Sequence, residues 1–292
     1  MGAELRRVVV GVDGSPSSDV AVEWAARDAA SRGVPLILAY VQPLPREMAW
    51  PVPLVQRESP DDQRRHDDEI VGRARAIVER VVGADVTVES EIAAGPIIPT
   101  LVDLSKGADL IVLGCRGQGP LDRLLLGSVS FGLLHHARCP VAVIHDDVPA
   151  APDRDDAPVL VCVDGSPASE TATAIAFDEA SRRGVRLQAL HVWSDWPHFE
   201  LPGFDVATAA TQAQLALAER LAGWQERYPD VVIDRIVVCG HPADVILHHA
   251  DSAQLVVIGS HGRGGFAGML LGSVGSAVAA SATVPVIVAR AS

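Results

Sequence analysis

Lysine is nearly missing from this chain. Lys106 is the only one, so arginine supplies almost all of the 24 basic residues, set against 37 acidic ones for a formal net charge of −13. A chain this acidic, with no basic stripe, lacks the charge that nonspecific nucleic-acid binding needs, and no nucleic-acid partner is expected. Any anion it binds must be held by local geometry. The missing lysines also remove the P-loop nucleotidases, which require G-x-x-x-x-G-K-[S/T], because no G-K pair occurs. Cysteines are few: Cys115, Cys139, Cys162 and Cys239 form no C-x-x-C pair and lie in or beside apolar runs. That is the usage of reduced thiols, not of a disulfide scaffold. No apolar run approaches the roughly 18–20 residues of a membrane span, so none is expected. The opening MGAELRRVVVGVDGS enters a strand pattern within a few residues, which leaves no room for a signal peptide. A cytoplasmic protein is the expectation. Aromatics are only 4% of residues, and Trp24, Trp193, Trp196 and Trp224 suit core or loop packing better than a base-stacking platform.

What is present is a globular composition, 48% hydrophobic and 21% charged over 292 residues, enough for one or two domains with buried cores. The chain is a duplication. VVVGVDGSPSSDVAVEWAARDAASRGVPL (8–36) aligns with VLVCVDGSPASETATAIAFDEASRRGVRL (159–187), so that Asp13 matches Asp164, Ser15 matches Ser166 and Gly33 matches Gly184. The closing runs CPVAVIH (139–145) and VPVIVAR (284–290) also correspond. Between the copies lies a stretch rich in Pro, Ala and Asp, which reads as a linker. The expected domains are 1–146 and 158–292, with the linker at 147–157.

Each copy alternates strand and helix. RRVVVGVD is a continuous apolar run, as a strand buried on both faces should be. Ser15 is placed to cap the next helix, Pro16 suits its first turn, and Gly33 suits its left-handed stop. Five strands per copy with crossover helices predict two tandem Rossmann-like, doubly wound, five-stranded parallel sheets of order 3-2-1-4-5. Sheets of this kind bind ligands beyond the carboxyl ends of their strands, where the strand order reverses. That point lies between strands one and four, where Asp13 and Gly114 end.

The stretch GCRGQGPLDRLLLGSVS (114–130) and its counterpart GSHGRGGFAGMLLGSVG (259–275) keep one glycine spacing. A glycine-rich loop after a strand lets main-chain N–H groups crowd around an anion. Gly127-Ser128 then opens a helix whose N-terminal N–H groups and dipole favour phosphate, with Ser128 and Ser130 adding hydroxyl donors. A carboxylate at Asp13 facing that loop suits ribose hydroxyls or a base amine. Together these residues describe a nucleotide site, present twice. A simple tight turn explains one copy equally well; the spacing repeated in a second copy favours the ligand.

G-x-x-G, nine residues, then G-[S/T] resembles the ATP-binding signature of the universal stress protein family, and the resemblance covers both halves. The tandem, arginine-rich form is similar to the actinobacterial two-domain type. By position, the resemblance implies that Asp13 and Asp164 contact the nucleoside, with Gly11 and Val12 lining the same pocket. Val41 and Val192 would present backbone to adenine. Gly114, Gly117, Gly127, Ser128, Val129 and Ser130 would hold ribose and phosphates in the first copy. Gly259, Gly262, Gly272, Ser273, Val274 and Gly275 occupy those positions in the second. Gly275 lacks the hydroxyl of Ser130, so the second site is expected to be the weaker. The implied cofactor is ATP, with or without Mg2+, while ADP and cyclic nucleotides stay open as natural ligands.

The implied function is a nucleotide-dependent regulator of stress response or growth, with a slow ATP hydrolase and a nucleotide-free interaction scaffold as alternatives. A Rossmann dehydrogenase is excluded because DGSP stands where its glycines should follow strand one. His261 lies inside the second G-x-x-G, but its counterpart Arg116 is no base, and an exposed loop histidine is the plainer reading. Arg116, Arg123 and Arg263 flank the loops. Adjacent histidines (His135-His136, His248-His249) point to different helix faces, so no metal site is expected. The Pro-rich loop 43–55 is a candidate lid or partner surface. The resemblance further implies that the closing strands of the two copies, in PVAVIH and PVIVA, pair antiparallel, so that one chain imitates a dimer and covers an exposed edge. A homodimer and a protein partner are expected candidates, and neither is identified.

Overall fold

The computed structural model describes residues 6–43, 60–117, 126–145, 156–193, 206–262 and 271–290. The Pro-rich loop beyond residue 43, Trp196, Arg123, Arg263 and most of the linker lie outside the described residues. The chain divides into two compact units between Cys139 and Pro140.

The first unit contains β1 (Val8–Val12), α1 (Pro16–Arg32), β2 (Leu36–Pro43), α2 (Pro60–Val82), β3 (Val88–Gly95), α3 (Ile97–Ser105), β4 (Leu110–Gly114) and α4 (Ser128–His136). Its strands run parallel in the order β3-β2-β1-β4. The apolar run Val8-Val9-Val10 is fully buried because β1 is an interior strand, with Val8 registered between Leu36 and Leu110. The second unit contains β5 (Val141–Ile144), β6 (Val159–Cys162), α5 (Pro167–Arg183), β7 (Leu187–Trp193), α6 (Val206–Arg227), β8 (Ile233–Cys239), α7 (Pro242–Ala250), β9 (Leu255–Gly259), α8 (Ser273–Ser281) and β10 (Val286–Ala289). Here the order is β5-β10-β9-β6-β7-β8, which includes the expected 3-2-1-4-5 arrangement of one copy, all parallel.

β5 is the last strand of the first copy in sequence, yet it groups with the second unit. Val141, Ala142 and Val143 pair antiparallel with Val288, Ile287 and Val286 of β10, the pairing expected of the two closing runs. His145, just beyond β5, adds a contact of 3.1 Å from Nε2 to the Ala279 carbonyl of α8.

The first helix of each copy starts and stops for the same reasons. Ser15 and Ser166 cap α1 and α5 by accepting the N–H of Ser18 and Ser169, each at 3.2 Å, and a proline follows at the first helical position. Gly33 (φ 65°) and Gly184 (φ 66°) end them in the left-handed conformation that only glycine adopts without cost. The caps matter for the site, because they fix the helix starts against the strand ends that bear Asp13 and Asp164.

Candidate functional site

Strand one of each copy ends in a D-G-S-P turn. Asp13 Oδ1 accepts the N–H of Ser15, and Asp164 Oδ1 accepts that of Ser166, both at 2.9 Å. The intervening Gly14 (φ 78°) and Gly165 (φ 81°) make the turn possible. The second carboxylate oxygen faces the glycine loop. A Cβ at Gly117 would stand 2.9 Å from Asp13 Oδ2, and one at Gly262 would stand 2.7 Å from Asp164 Oδ2.

Each loop glycine therefore has its own reason. At Gly114 a Cβ would meet the Ser17 backbone carbon at 2.8 Å, and at Gly259 the Ala168 backbone carbon at 2.9 Å, so these two let the first helix lie against the strand end. Gly117 and Gly262 clear space for a carboxylate. Gly127 and Gly272 are helix N-caps whose N–H groups donate to Cys115 and Ser260 carbonyls at 2.7 Å. The first helical bonds come from Phe131 to Gly127 and Ser276 to Gly272, each 2.9 Å. The N–H groups of Ser128, Val129 and Ser130, and of Ser273, Val274 and Gly275, are thus left outside the ladder, and neither helix start has a side-chain cap. Such an end favours an anion.

In the second unit these pieces surround a cavity of about 330 Å³. All eight residues singled out in that copy line it: Asp164 and Val192 at the strand ends, Gly259 and Gly262 in the loop, and Gly272, Ser273, Val274 and Gly275 at the start of α8. Sequence reasoning missed the apolar residues Leu190, Ile258 and Ile246 that also line it, together with Cys162. The apolar run of β9 marks a buried strand, but hydropathy does not say which of its residues border the opening.

A model of the universal stress protein family matches residues 4–145 and again 157–290. The chain belongs to the universal stress protein family. It is 52% identical over 295 residues to universal stress protein Rv2005c of Mycobacterium tuberculosis, covering 98% of this chain and 97% of that one. It is also 52% identical over 290 residues to universal stress protein Rv2623 of the same organism, covering 98% and 96%. A crystal structure of a universal stress protein from Archaeoglobus fulgidus superposes with a TM-score of 0.73 at 24% identity, covering 98% of each chain, which speaks for the fold alone.

In the first unit of this universal stress protein, the corresponding residues are brought to the same strand ends. Asp13 faces Gly117, Gly114 abuts Ser17, and Gly127 caps α4. Val12 and Val41 are core residues at 5% and 7% exposure, so what they have to offer a ligand is chiefly main chain. Ser130 is 3% exposed and its hydroxyl donates to the Gly114 carbonyl at 2.7 Å, tying α4 to β4. Gly275 has no hydroxyl, so the second copy lacks this bond between helix start and strand end.

The surroundings of the two aspartates differ. Tyr40, before Val41, is pushed up to about 12 by burial, then by its hydrogen bond to Asp67 and the charges of Asp67 and Asp13. Asp67 is itself buried and accepts from Gln63 (3.0 Å) and from Gln42. In the second unit His191 stands in Tyr40's place, 2.6 Å from the Val163 carbonyl through Nδ1. Burial, and then the Asp164 charge, push the Cys162 thiol well up, which makes it a poor nucleophile. Arg73 pairs with Asp19 and Arg220 with Glu170, so each unit sets one arginine against the first turn of its first helix. Among the described residues, no group of three or more His, Cys, Asp or Glu side chains is arranged to hold a metal ion, and no helix is long and apolar enough to cross a membrane.

Proposed function

We propose that each copy binds one adenine nucleotide at the carboxyl ends of its strands, and that the protein acts as a nucleotide-dependent regulator, with ATP, with or without Mg2+, as ligand. The observation that carries this reading is the second-unit cavity, where an aspartate, two loop glycines and three N–H groups of a helix start converge on one space. The volume is of the size that small-molecule sites have. Phosphates would sit on the N–H groups of Ser273–Gly275, and of Ser128–Ser130 in the first unit, where no side-chain charge is needed. That suits a chain with a net charge of −13. Asp164 and Asp13, each with one carboxylate oxygen turned to the loop, would accept from ribose hydroxyls. Main chain near Val192 and Val41 would meet the base.

Turnover is not part of the reading. The loop position that carries His261 in one copy carries Arg116 in the other, so the two sites share no base there, and the Cys162 thiol is held protonated. The test is to denature the purified protein, then identify and count the released nucleotides by chromatography and mass spectrometry, with ATP titration of any nucleotide-free material. About two adenine nucleotides per chain are expected at saturation. Failure of added ATP to bind folded protein would overturn the proposal and leave an interaction scaffold.

A further inference from the structure

We propose that His261 is a phosphate-binding residue that makes the second site's nucleotide affinity rise as pH falls, a response the first site, with Arg116 at this position, does not share. This rests on the nucleotide reading above and specifies how one of the two sites is regulated.

His261 lines the second-unit cavity between Gly259, which abuts α5, and Gly262, which faces Asp164. Its main chain is fixed, since its carbonyl accepts the Ser166 hydroxyl at 2.9 Å. Its ring is held on one side only. Nδ1 lies 3.0 Å from the Oγ of Ser260, a residue 2% exposed, while Nε2 is shut off from solvent with no hydrogen-bond partner among the described residues. A buried polar nitrogen left without a partner is costly, and a group that supplies one is favoured by the same amount. With Ser260 donating to Nδ1, the orphan is an Nε2–H donor, which matches an anionic oxygen and not a further donor. Ser273, Val274 and Gly275 line the same cavity, and His261 Cα lies 3.7 Å from a would-be Cβ at the Gly272 N-cap, so a phosphate seated on that helix start is the anion offered to this donor.

Among the described residues, the charged and titratable groups on the elements that bound the cavity define the sign. Asp164 closes β6, with the high-pKa thiol of Cys162 two residues before it. Glu170 of α5 is paired with Arg220 of α6, whose guanidinium packs on Gly165. At the start of α7, His241 and Asp244 face each other at 3.4 Å, and the first turn of α8 carries no ionisable group. Apart from Arg220, already paired, none of these sets a fixed positive charge beside His261. A bound phosphate therefore favours the protonated ring, a proton is taken up with the ligand, and affinity falls as pH rises. Arg116 keeps its charge whatever the pH of such a test.

The full chain carrying Gly117→Val, which closes the first site, would be titrated with ATP and with adenosine at pH 6 and pH 8, as would the same chain with His261→Asn or His261→Arg. ATP should bind about fivefold tighter at pH 6 than at pH 8 through His261, on the strength of one charge-assisted hydrogen bond. The Asn variant should lose most of that ratio, the Arg variant should bind tightly at both values, and adenosine should show no dependence on residue 261. Any titration of ATP itself is common to all three chains and cancels. An equal pH ratio in the His and Asn chains, or a His261-dependent ratio for adenosine, would overturn the inference while leaving nucleotide binding intact. If ATP bound none of the folded chains at either pH, the nucleotide reading itself would fall, and this one with it.

Discussion

At the end of the first strand the two units carry Gly11 and Cys162; between the loop glycines, Arg116 and His261; at the third position of the helix after the glycine loop, Ser130 and Gly275. Around these exchanges the same main-chain contacts recur among the described residues. Both aspartates accept the serine N–H at 2.9 Å, both N-cap glycines donate at 2.7 Å, and both loop glycines leave less than 3 Å between a carboxylate and a would-be Cβ. Even an exchange has its compensation: a Cβ at Gly11 would meet Leu113 Cδ2 at 2.7 Å, and where Cys162 supplies that Cβ the aligned residue is the β-branched Ile258. The duplicated chain has kept the clearances and the unpaired N–H groups while its side chains diverged. Function common to both copies belongs to the former, and differences between them to the latter.

The comparison breaks most easily at the glycines that face backbone. Gly114→Ala or Gly259→Ala should each cost about 3 kcal/mol in urea unfolding, because the added methyl meets the first helix's main chain and cannot be relieved by a rotamer change. Equal losses are expected in the two units, and a silent variant would show that one helix start is looser than its twin. Next come the glycines that face carboxylates. Gly117→Ala and Gly262→Ala should leave stability within about 1 kcal/mol but weaken ATP at their own site by roughly tenfold or more, since the aspartate must move. Calorimetric titration would show one site lost and the other retained.

A reciprocal exchange sharpens the contrast. Ser130→Gly should lower stability by about 1 kcal/mol through the lost bond to Gly114, yet change ATP affinity by less than about threefold. Gly275→Ser should fit, as its Cβ would lie 3.3 Å from the end of the flexible Leu271 side chain. A large affinity change in either would restore the hydroxyl as a phosphate ligand. The smallest effect is a pH dependence confined to the second unit. Burial, with the neighbouring His248 charge, holds His249 below the ordinary histidine range, whereas the aligned residue in α3 is Leu104. The folded form resists the proton, so the stability this group contributes is present above the ordinary value and is lost as pH falls below about 6.5. His249→Leu should flatten the melting temperature between pH 7 and 5, and an unchanged slope would remove His249 as its source.

Much of the fold was legible because it is written in local chemistry. Ser15 and Gly33 bracket α1, Ser166 and Gly184 bracket α5, and unbroken valine runs mark strands covered on both faces. The site was legible to the extent that glycine spacing and the D-G-S-P turn are main-chain requirements, and such requirements repeat in a duplicated sequence. It was illegible where side-chain direction mattered. Ser130 read as a phosphate donor, but its hydroxyl turns back to the Gly114 carbonyl. Leu190 and Ile246 are buried and at the same time border an opening, which hydropathy alone does not reveal. Gly114 read as part of a phosphate cradle, and only the packed helix shows that it must first admit Ser17.

By itself the sequence determined the duplication, the order of strands and helices, the helix caps and the two points where a carboxylate and a glycine loop converge, because each depends on residues near in sequence or on a spacing that repeats. Tertiary structure alone decided which glycine clears backbone and which clears a carboxylate. It also decided which hydroxyl is spent internally, that β5 groups with the second unit, and that the His261 ring is left with one nitrogen unpartnered among the described residues. Those outcomes depend on distances between segments remote in sequence, and no local propensity encodes a distance.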